Sequence, residues 1–195
     1  MNAVWSGSRG WRLLLLAAGL CAALRATGGE TLAGAGAVKI TPPPGTPMAG
    51  YYHERPATGV HDELYAKAIV LESDGVTAAL VSLDLLSTTR WVVEEARQQI
   101  ERACGIPGAH VMISATHAHT GPVLSGRDER DWFFGSDNKL AREFTDGLPA
   151  KIAEAVKQAH AARQSVTVLA GEGREDSIAF NRRYRMKDGT VGWNP

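Results

Sequence analysis

Two histidines one residue apart, His117 and His119, lie in the run Ser114-Ala115-Thr116-His117-Ala118-His119-Thr120-Gly121-Pro122. Imidazole is the commonest zinc ligand and changes charge near neutral pH, so such a pair suits metal binding or proton transfer. The run follows Val111-Met112-Ile113, an apolar stretch that reads as a buried strand. Side chains at i and i+2 of a strand share a face, which would aim both rings at one point. Gly121-Pro122 ends the strand and turns the chain, leaving the pair at a rim. Spacing alone leaves three readings open: metal ligands, a metal-free acid/base or hydrogen-bonding pair, or ordinary polar residues at a strand end.

A zinc site takes about four ligands, one replaceable by water where chemistry is done. His61, in Thr58-Gly59-Val60-His61-Asp62, sits in a glycine-containing loop that could approach a cleft. His110, ahead of the strand, reads as structural, and His160, near a helix end, as solvated; His53 is uninformative. Asp62 and Asp84 are candidate orienting groups, although Asp84, ending an apolar strand, reads first as a capping or pairing carboxylate. Arg182 and Arg183 could clamp an anionic group; a basic hairpin face is the plainer reading. Common hydrolase templates do not fit: the chain has no His-Glu-x-x-His helix, no Asp-His after His119 and no Gly-x-Ser-x-Gly elbow.

The elements that must position these residues alternate strand and helix. Ala37–Thr41 reads as a short strand ended by Pro42-Pro43-Pro44-Gly45, and Met48–Val60 as an irregular loop. Leu64–Glu72 and Thr77–Leu85 are apolar runs joined across Asp74-Gly75, a hairpin signal. Thr88 or Thr89 caps a helix over Trp91–Ala103, stopped by Gly105 and Pro107, and the strand His110–Ser114 follows. Leu124–Asn138 reads as a surface loop with an aromatic island at Trp132-Phe133-Phe134. Leu140, Phe144, Leu148, Ile152 and Val156 step by four, placing a helix over Lys139–Ala161 that either kinks at Pro149 or divides there. Val166–Gly171 reads as a strand and Tyr184–Trp193 as a hairpin turning at Asp188-Gly189. The pattern implies an α/β fold, mixed β-sheet layers with flanking helices and hairpin additions.

The 195 residues carry 21 basic and 21 acidic side chains, room for one domain and a balance that argues against a nucleic-acid binder. Arg9 and Arg12 precede the apolar run Leu13–Leu24, and small residues follow. This is the layout of a secretory signal over residues 1–28, cleaved near Gly28, with a run shorter than the roughly 20 apolar residues a membrane span needs. The expected protein is secreted or periplasmic, with no transmembrane span in its mature chain. Cleavage leaves Cys104 as the one cysteine, which excludes an internal disulfide and reads as a small buried hydrophobe.

In order along the chain, Val38-Lys39-Ile40-Thr41-Pro42, Met48-Ala49-Gly50-Tyr51, Gly59-Val60-His61-Asp62-Glu63-Leu64, Val81-Ser82-Leu83-Asp84-Leu85, Ser114–Pro122 and Phe180-Asn181-Arg182 resemble segments of the neutral/alkaline (non-lysosomal) ceramidase family. The most specific is the histidine run, similar to the family's Ser-Ala-Thr-His-Thr-His-Ser-Gly-Pro signature. The resemblance implies that residues 36–195 form the N-terminal part of a catalytic domain, continued beyond Pro195. It implies a zinc-dependent hydrolase that splits the amide bond of ceramide or a related N-acyl compound, a lipid substrate met at a membrane surface, as in sphingolipid breakdown. It implies His117 as a zinc ligand, His119 as a catalytic residue contacting the reacting part of the substrate and not the metal, Arg182 as a catalytic residue near the active site and His61 as a substrate contact. Ala118 and Thr120 replace the Thr and Ser of the signature, and the family's other zinc ligands, a His, a Glu and a Tyr, match no position up to Pro195. The stretch Arg182–Gly189 departs from ceramide-specific members and points to a bacterial branch with another N-acyl substrate. A non-catalytic binding domain, or a hydrolase of a non-lipid amide or ester, are the alternatives.

Overall fold

The structure is a computed structural model that describes residues 29–125, 138–179, 181 and 183–193. Residues 1–28, read above as a signal, the aromatic island, Phe180 and Arg182 therefore lie outside the described residues. Along the chain come β1 (Leu32–Lys39), β2 (Tyr65–Ser73), β3 (Val76–Leu83), α1 (Arg90–Cys104), a 3-10 turn (Gly108–His110), β4 (Val111–Ala115), α2 (Lys139–Ala161), β5 (Gln164–Ser165), β6 (Arg183–Arg185) and β7 (Val191–Trp193).

Five strands form one mixed sheet in the order β4-β3-β2-β1-β5. β2 and β3 are the hairpin expected across Asp74-Gly75, in register from Ala66↔Leu83 to Ser73↔Val76. Asp74 and Gly75 both have positive φ, which gives the turn the right-handed twist its strands need. β4 runs parallel to β3, Val81 opposite Ile113 and Leu83 opposite Ala115. A parallel neighbour requires a crossover, and α1 supplies it. Thr89 accepts the Val92 N–H at the start of α1, and the Gly105 N–H returns to the Glu101 carbonyl at its end.

One face of the sheet is the core. Ala66, Ala68, Val70, Ala79, Val81 and Leu83 alternate inward and meet Val92, Ala96 and Ile100 of α1 and Leu148, Ile152, Val156 and Ala159 of α2. The other face is open and keeps an apolar row, with Ile69 paired to Leu80 and Leu80 to Met112. Helix α2 lies so close on β1 that a Cβ at Gly34 or Gly36 would collide with the carbonyls of Ala159 or Ala155. Pro149 sits inside α2, which is one element over Lys139–Ala161. Thr145, fully buried, donates to the Ala141 carbonyl at 2.7 Å and accepts the Ser125 N–H at 2.8 Å, tying the segment after the histidine run to α2.

Three expectations need correction. The first strand begins at Leu32, not Ala37: the Ala/Gly-rich Leu32–Gly36 has little β signal of its own but pairs with Ala68–Glu72. Val166–Gly171 is not a strand. β5 covers Gln164–Ser165, opposite Ala33 and Leu32, and its ladder ends where Val166 meets Thr31 and β1 has run out. Val168 and Leu169 are exposed in consequence. His160 is half-buried beside Arg163 rather than solvated, and burial foremost, then the Arg163 charge, holds its pKa below the ordinary imidazole value. Cys104 is half-buried with its thiol pushed up by burial, an unreactive hydrophobe as expected. The hairpin at Asp188-Gly189 forms as β6 and β7.

Candidate functional site

The site is built where β3 and β4 end side by side. β4 stops at Ala115, yet its chain stays zipped to the segment after β3: the Thr116 N–H donates to the Leu83 carbonyl at 2.9 Å and the Ala118 N–H to the Leu85 carbonyl at 3.0 Å. Between them His117 adopts φ +64, a left-handed conformation uncommon for any residue but glycine. Asp84 braces this end of the sheet. Its carboxylate accepts the Tyr65 N–H at 3.0 Å and lies 3.6 Å from the Lys67 ammonium. The sequence reading of Asp84 as a pairing group holds.

His117 does not reach its place by strand alternation. The strand has ended two residues earlier, and the left-handed turn aims the ring. Its Nδ1 lies 3.1 Å from the Leu86 carbonyl. A carbonyl oxygen only accepts, so Nδ1 carries the hydrogen and Nε2 keeps a free lone pair in the neutral ring. That is the arrangement a metal-binding histidine needs, with one nitrogen oriented by a carbonyl and the other keeping its lone pair. Both His117 and His119 are exposed, at the rim expected from Gly121-Pro122.

His119 stands edge-on to His117, with ring centroids 5.0 Å apart and planes at 75°. On another side Tyr51 meets it edge-on at 6.5 Å and 87°. Tyr51 belongs to the irregular loop after β1, which folds back on itself through a Pro47↔Pro56 bridge and a Met48 N–H bond to the Arg55 carbonyl. The Arg55 guanidinium covers the Tyr51 ring at 4.8 Å. The loop is strapped to the histidine run by Ala49 N–H to the Gly121 carbonyl, Val123 N–H to the Pro47 carbonyl and the Met48↔Pro122 bridge. Two segments some 70 residues apart in sequence thus make one wall.

The structure joins His117 and His119 but does not bring His61 to them. The His61 ring is 97% exposed, with Nδ1 2.7 Å from the Asp62 carboxylate. Arg182 lies outside the described residues. His110 is structural as expected, its Nδ1 at 3.1 Å from the Thr77 carbonyl. Among the described residues no group of three or more metal-capable side chains converges. His117 therefore fits one place in a metal's donor set and the described residues do not fill the others. Sequence reasoning missed the Leu86 carbonyl, which as backbone carries no side-chain signal. It also missed Tyr51 as the neighbour of His119; the aromatic beside Gly50 was its only trace.

No family model matches the chain, and no curated protein matches it significantly. Solved structures do. The crystal structure of neutral ceramidase from Pseudomonas aeruginosa superposes with a TM-score of 0.56 at 23% identity, over 70% of this chain and 22% of that one. A ceramidase complexed with C2 gives 0.59 at 24% identity over the same shares. At this identity the likeness is one of fold: the chain is built like a part of neutral ceramidase, and it spans about a fifth of the length of the ceramidases it matches.

Proposed function

We propose that this chain carries part of the active site of a zinc-dependent hydrolase that cleaves the amide bond of ceramide or a related N-acyl compound. The observation that carries the reading is His117: left-handed backbone, Nδ1 committed to the Leu86 carbonyl so that Nε2 keeps the lone pair, an exposed ring, and a second imidazole 5.0 Å away. Non-glycine residues held in that conformation cluster at functional sites. The ceramidase-like fold and the signature-like run support the same class.

When bound, zinc supplies an acidified water and polarises the amide carbonyl. His117 would be one of its ligands, through Nε2. His119, packed against Tyr51, would contact the reacting end of the substrate, with its ring plane set by that edge-on contact. Arg182 enters as a second catalytic residue near the active site, and His61 as a substrate contact from the exposed loop before β2. The open rim suits a substrate presented at a lipid surface. No helix among the described residues is long and apolar enough to cross a membrane. The signal-like residues 1–28 support export to the periplasm or beyond.

Metal analysis and hydrolysis on the full-length protein test this. One tightly bound zinc, lost in His117→Ala together with hydrolysis of long-chain N-acyl amines, is the expected result. A wild-type protein that binds no zinc and cleaves none of these amides sinks the reading. Ceramide competed against short N-acyl amines then fixes the substrate class.

A further inference from the structure

We propose that Gly50 is a positioning residue for His119: the missing side chain at residue 50 is what lets the imidazole take its place. The inference rests on the reading of His119 as the substrate-contacting imidazole. A Cβ built on Gly50 would lie 2.7 Å from His119 Cγ and 2.8 Å from Cε1, and nearer still to Nδ1. Real Cβ atoms do not approach other atoms within 3.0 Å. The ring therefore rests directly on the Gly50 backbone.

The ring can give way only toward solvent, on its exposed side. Two other sides meet His117 and Tyr51, with ring centroids at 5.0 and 6.5 Å. The loop cannot withdraw, because the neighbouring Ala49 N–H is bonded to the Gly121 carbonyl at 2.9 Å and Met48 bridges Pro122. A methyl group at residue 50 would push the imidazole out of its contacts with both neighbours. Since His119 and Gly50 come from the two strapped segments, the strap sets the ring against the floor, and the floor sets the ring against His117.

Backbone strain and collision can be separated within this molecule. Gly50 has φ +87, and Gly75 has φ +75. Alanine at either incurs the left-handed penalty, but nothing lies within 4 Å of a Cβ at Gly75. Gly75→Ala is thus the control for strain alone.

Thermal midpoints and histidine ring resonances of the full-length protein test the proposal, in Gly50→Ala, Gly75→Ala, His119→Ala and the double variant Gly50→Ala/His119→Ala. Gly75→Ala is expected to lower the midpoint by about 3 °C, and Gly50→Ala by about 6 °C or more. The excess disappears when His119 is already alanine, because the collision partner is gone. The His119 ring resonances move in Gly50→Ala and stay in Gly75→Ala. Should Gly50→Ala not fold, folding of the double variant supports the proposal, and failure of both overturns it. Additive midpoints with unmoved resonances also overturn it. These readouts involve no substrate, so they stand or fall apart from amide hydrolysis. In a hydrolysing protein, Gly50→Ala and His119→Ala lose similar kcat/KM and the double variant loses no more; additive losses count against the proposal.

Discussion

Two exposed histidine segments of this protein are held in different ways. The Thr116–His119 segment is fixed from below by the Thr116 and Ala118 amides on the Leu83 and Leu85 carbonyls and the His117 ring on the Leu86 carbonyl, and from the side by Gly50 and Tyr51. His61 projects into solvent beside an equally exposed Asp62, and its segment is next tied at Glu63, through Lys39 and Thr41. Both segments present exposed histidines. What differs is how many fixed groups determine where the nitrogen points. A catalytic geometry needs that fixing, because small displacements of an aligned group cost large factors in rate. A binding contact from a loop needs less of it.

The sharpest way to break this contrast is to remove what fixes the first segment. Leu85 is fully buried, lends its carbonyl to Ala118 and abuts Gly121. Leu85→Ala should cost about 2–5 kcal/mol of stability, read by denaturant unfolding, and should speed hydrogen exchange at the Ala118 amide while leaving the His61 amide as it was. Equal acceleration in both segments would mean that the two are not held separately. Next in size are the histidines themselves. Losing a mere orienting partner of a metal ligand typically costs about 10–100-fold, so His117→Ala should lower kcat/KM by at least about 100-fold, with loss of zinc. His61→Ala should raise KM about fivefold, the worth of one exposed polar contact, with kcat unchanged. A fall in kcat for His61→Ala would place it among the reacting groups and erase the distinction.

A smaller effect is expected at Asp84. Asp84→Ala leaves the half-buried Tyr65 N–H without its acceptor, at about 1–2 kcal/mol. Asp84→Asn keeps an acceptor and should restore most of this. If Asn restores none, the Lys67 ion pair matters more than the hydrogen bond, contrary to its 3.6 Å separation and exposure.

The same contrast explains what could be read in the sequence. The β2–β3 hairpin, both helices, β4 and the β6–β7 hairpin announce themselves through Asp-Gly turns, step-four apolar residues and caps. These are local signals. β1 does so only at its end, Ala37–Lys39, because Leu32–Gly36 forms a strand only through its partner β2, and β5 not at all, while Val166–Gly171 fails to form a strand for want of a partner. At the site, the His-x-His run was legible as a location but not as a geometry. Strand alternation predicted two rings on one face, whereas the rings meet after the strand has ended, through a left-handed His117. The Leu86 carbonyl and the Gly50 floor are long-range backbone contacts. They leave no spacing to find, and the bare glycine in Met48–Tyr51 hints at one only after the loop is seen lying on His119.

The finest test concerns the weakly held segment alone. Glu63 joins it to β1: its carboxylate accepts from the Lys39 ammonium and the Thr41 hydroxyl. The Lys39 hydrogen bond first, then the Thr41 one, holds the Glu63 pKa below the ordinary 4.5. A depressed carboxylate stabilises the folded segment fully above its ordinary value and loses that contribution as pH falls through the lowered folded value. The tie should therefore be intact at pH 6 and weaken below pH 4.5. The group is solvent-exposed, so the effect is local and salt-screened, and belongs to the segment rather than to global unfolding. Hydrogen exchange at Asp62 and Glu63, corrected for the intrinsic pH dependence, should accelerate as pH drops from 6 to 3 and as salt rises at pH 6. In Glu63→Gln both dependences should flatten. Ala118, whose amide is held by the Leu85 carbonyl and whose neighbours are His117 and His119, should exchange alike in the wild type and in Glu63→Gln at every pH. A change at Ala118 caused by Glu63→Gln would mean that the two segments communicate, and the Met48–Tyr51 loop between them would be the path.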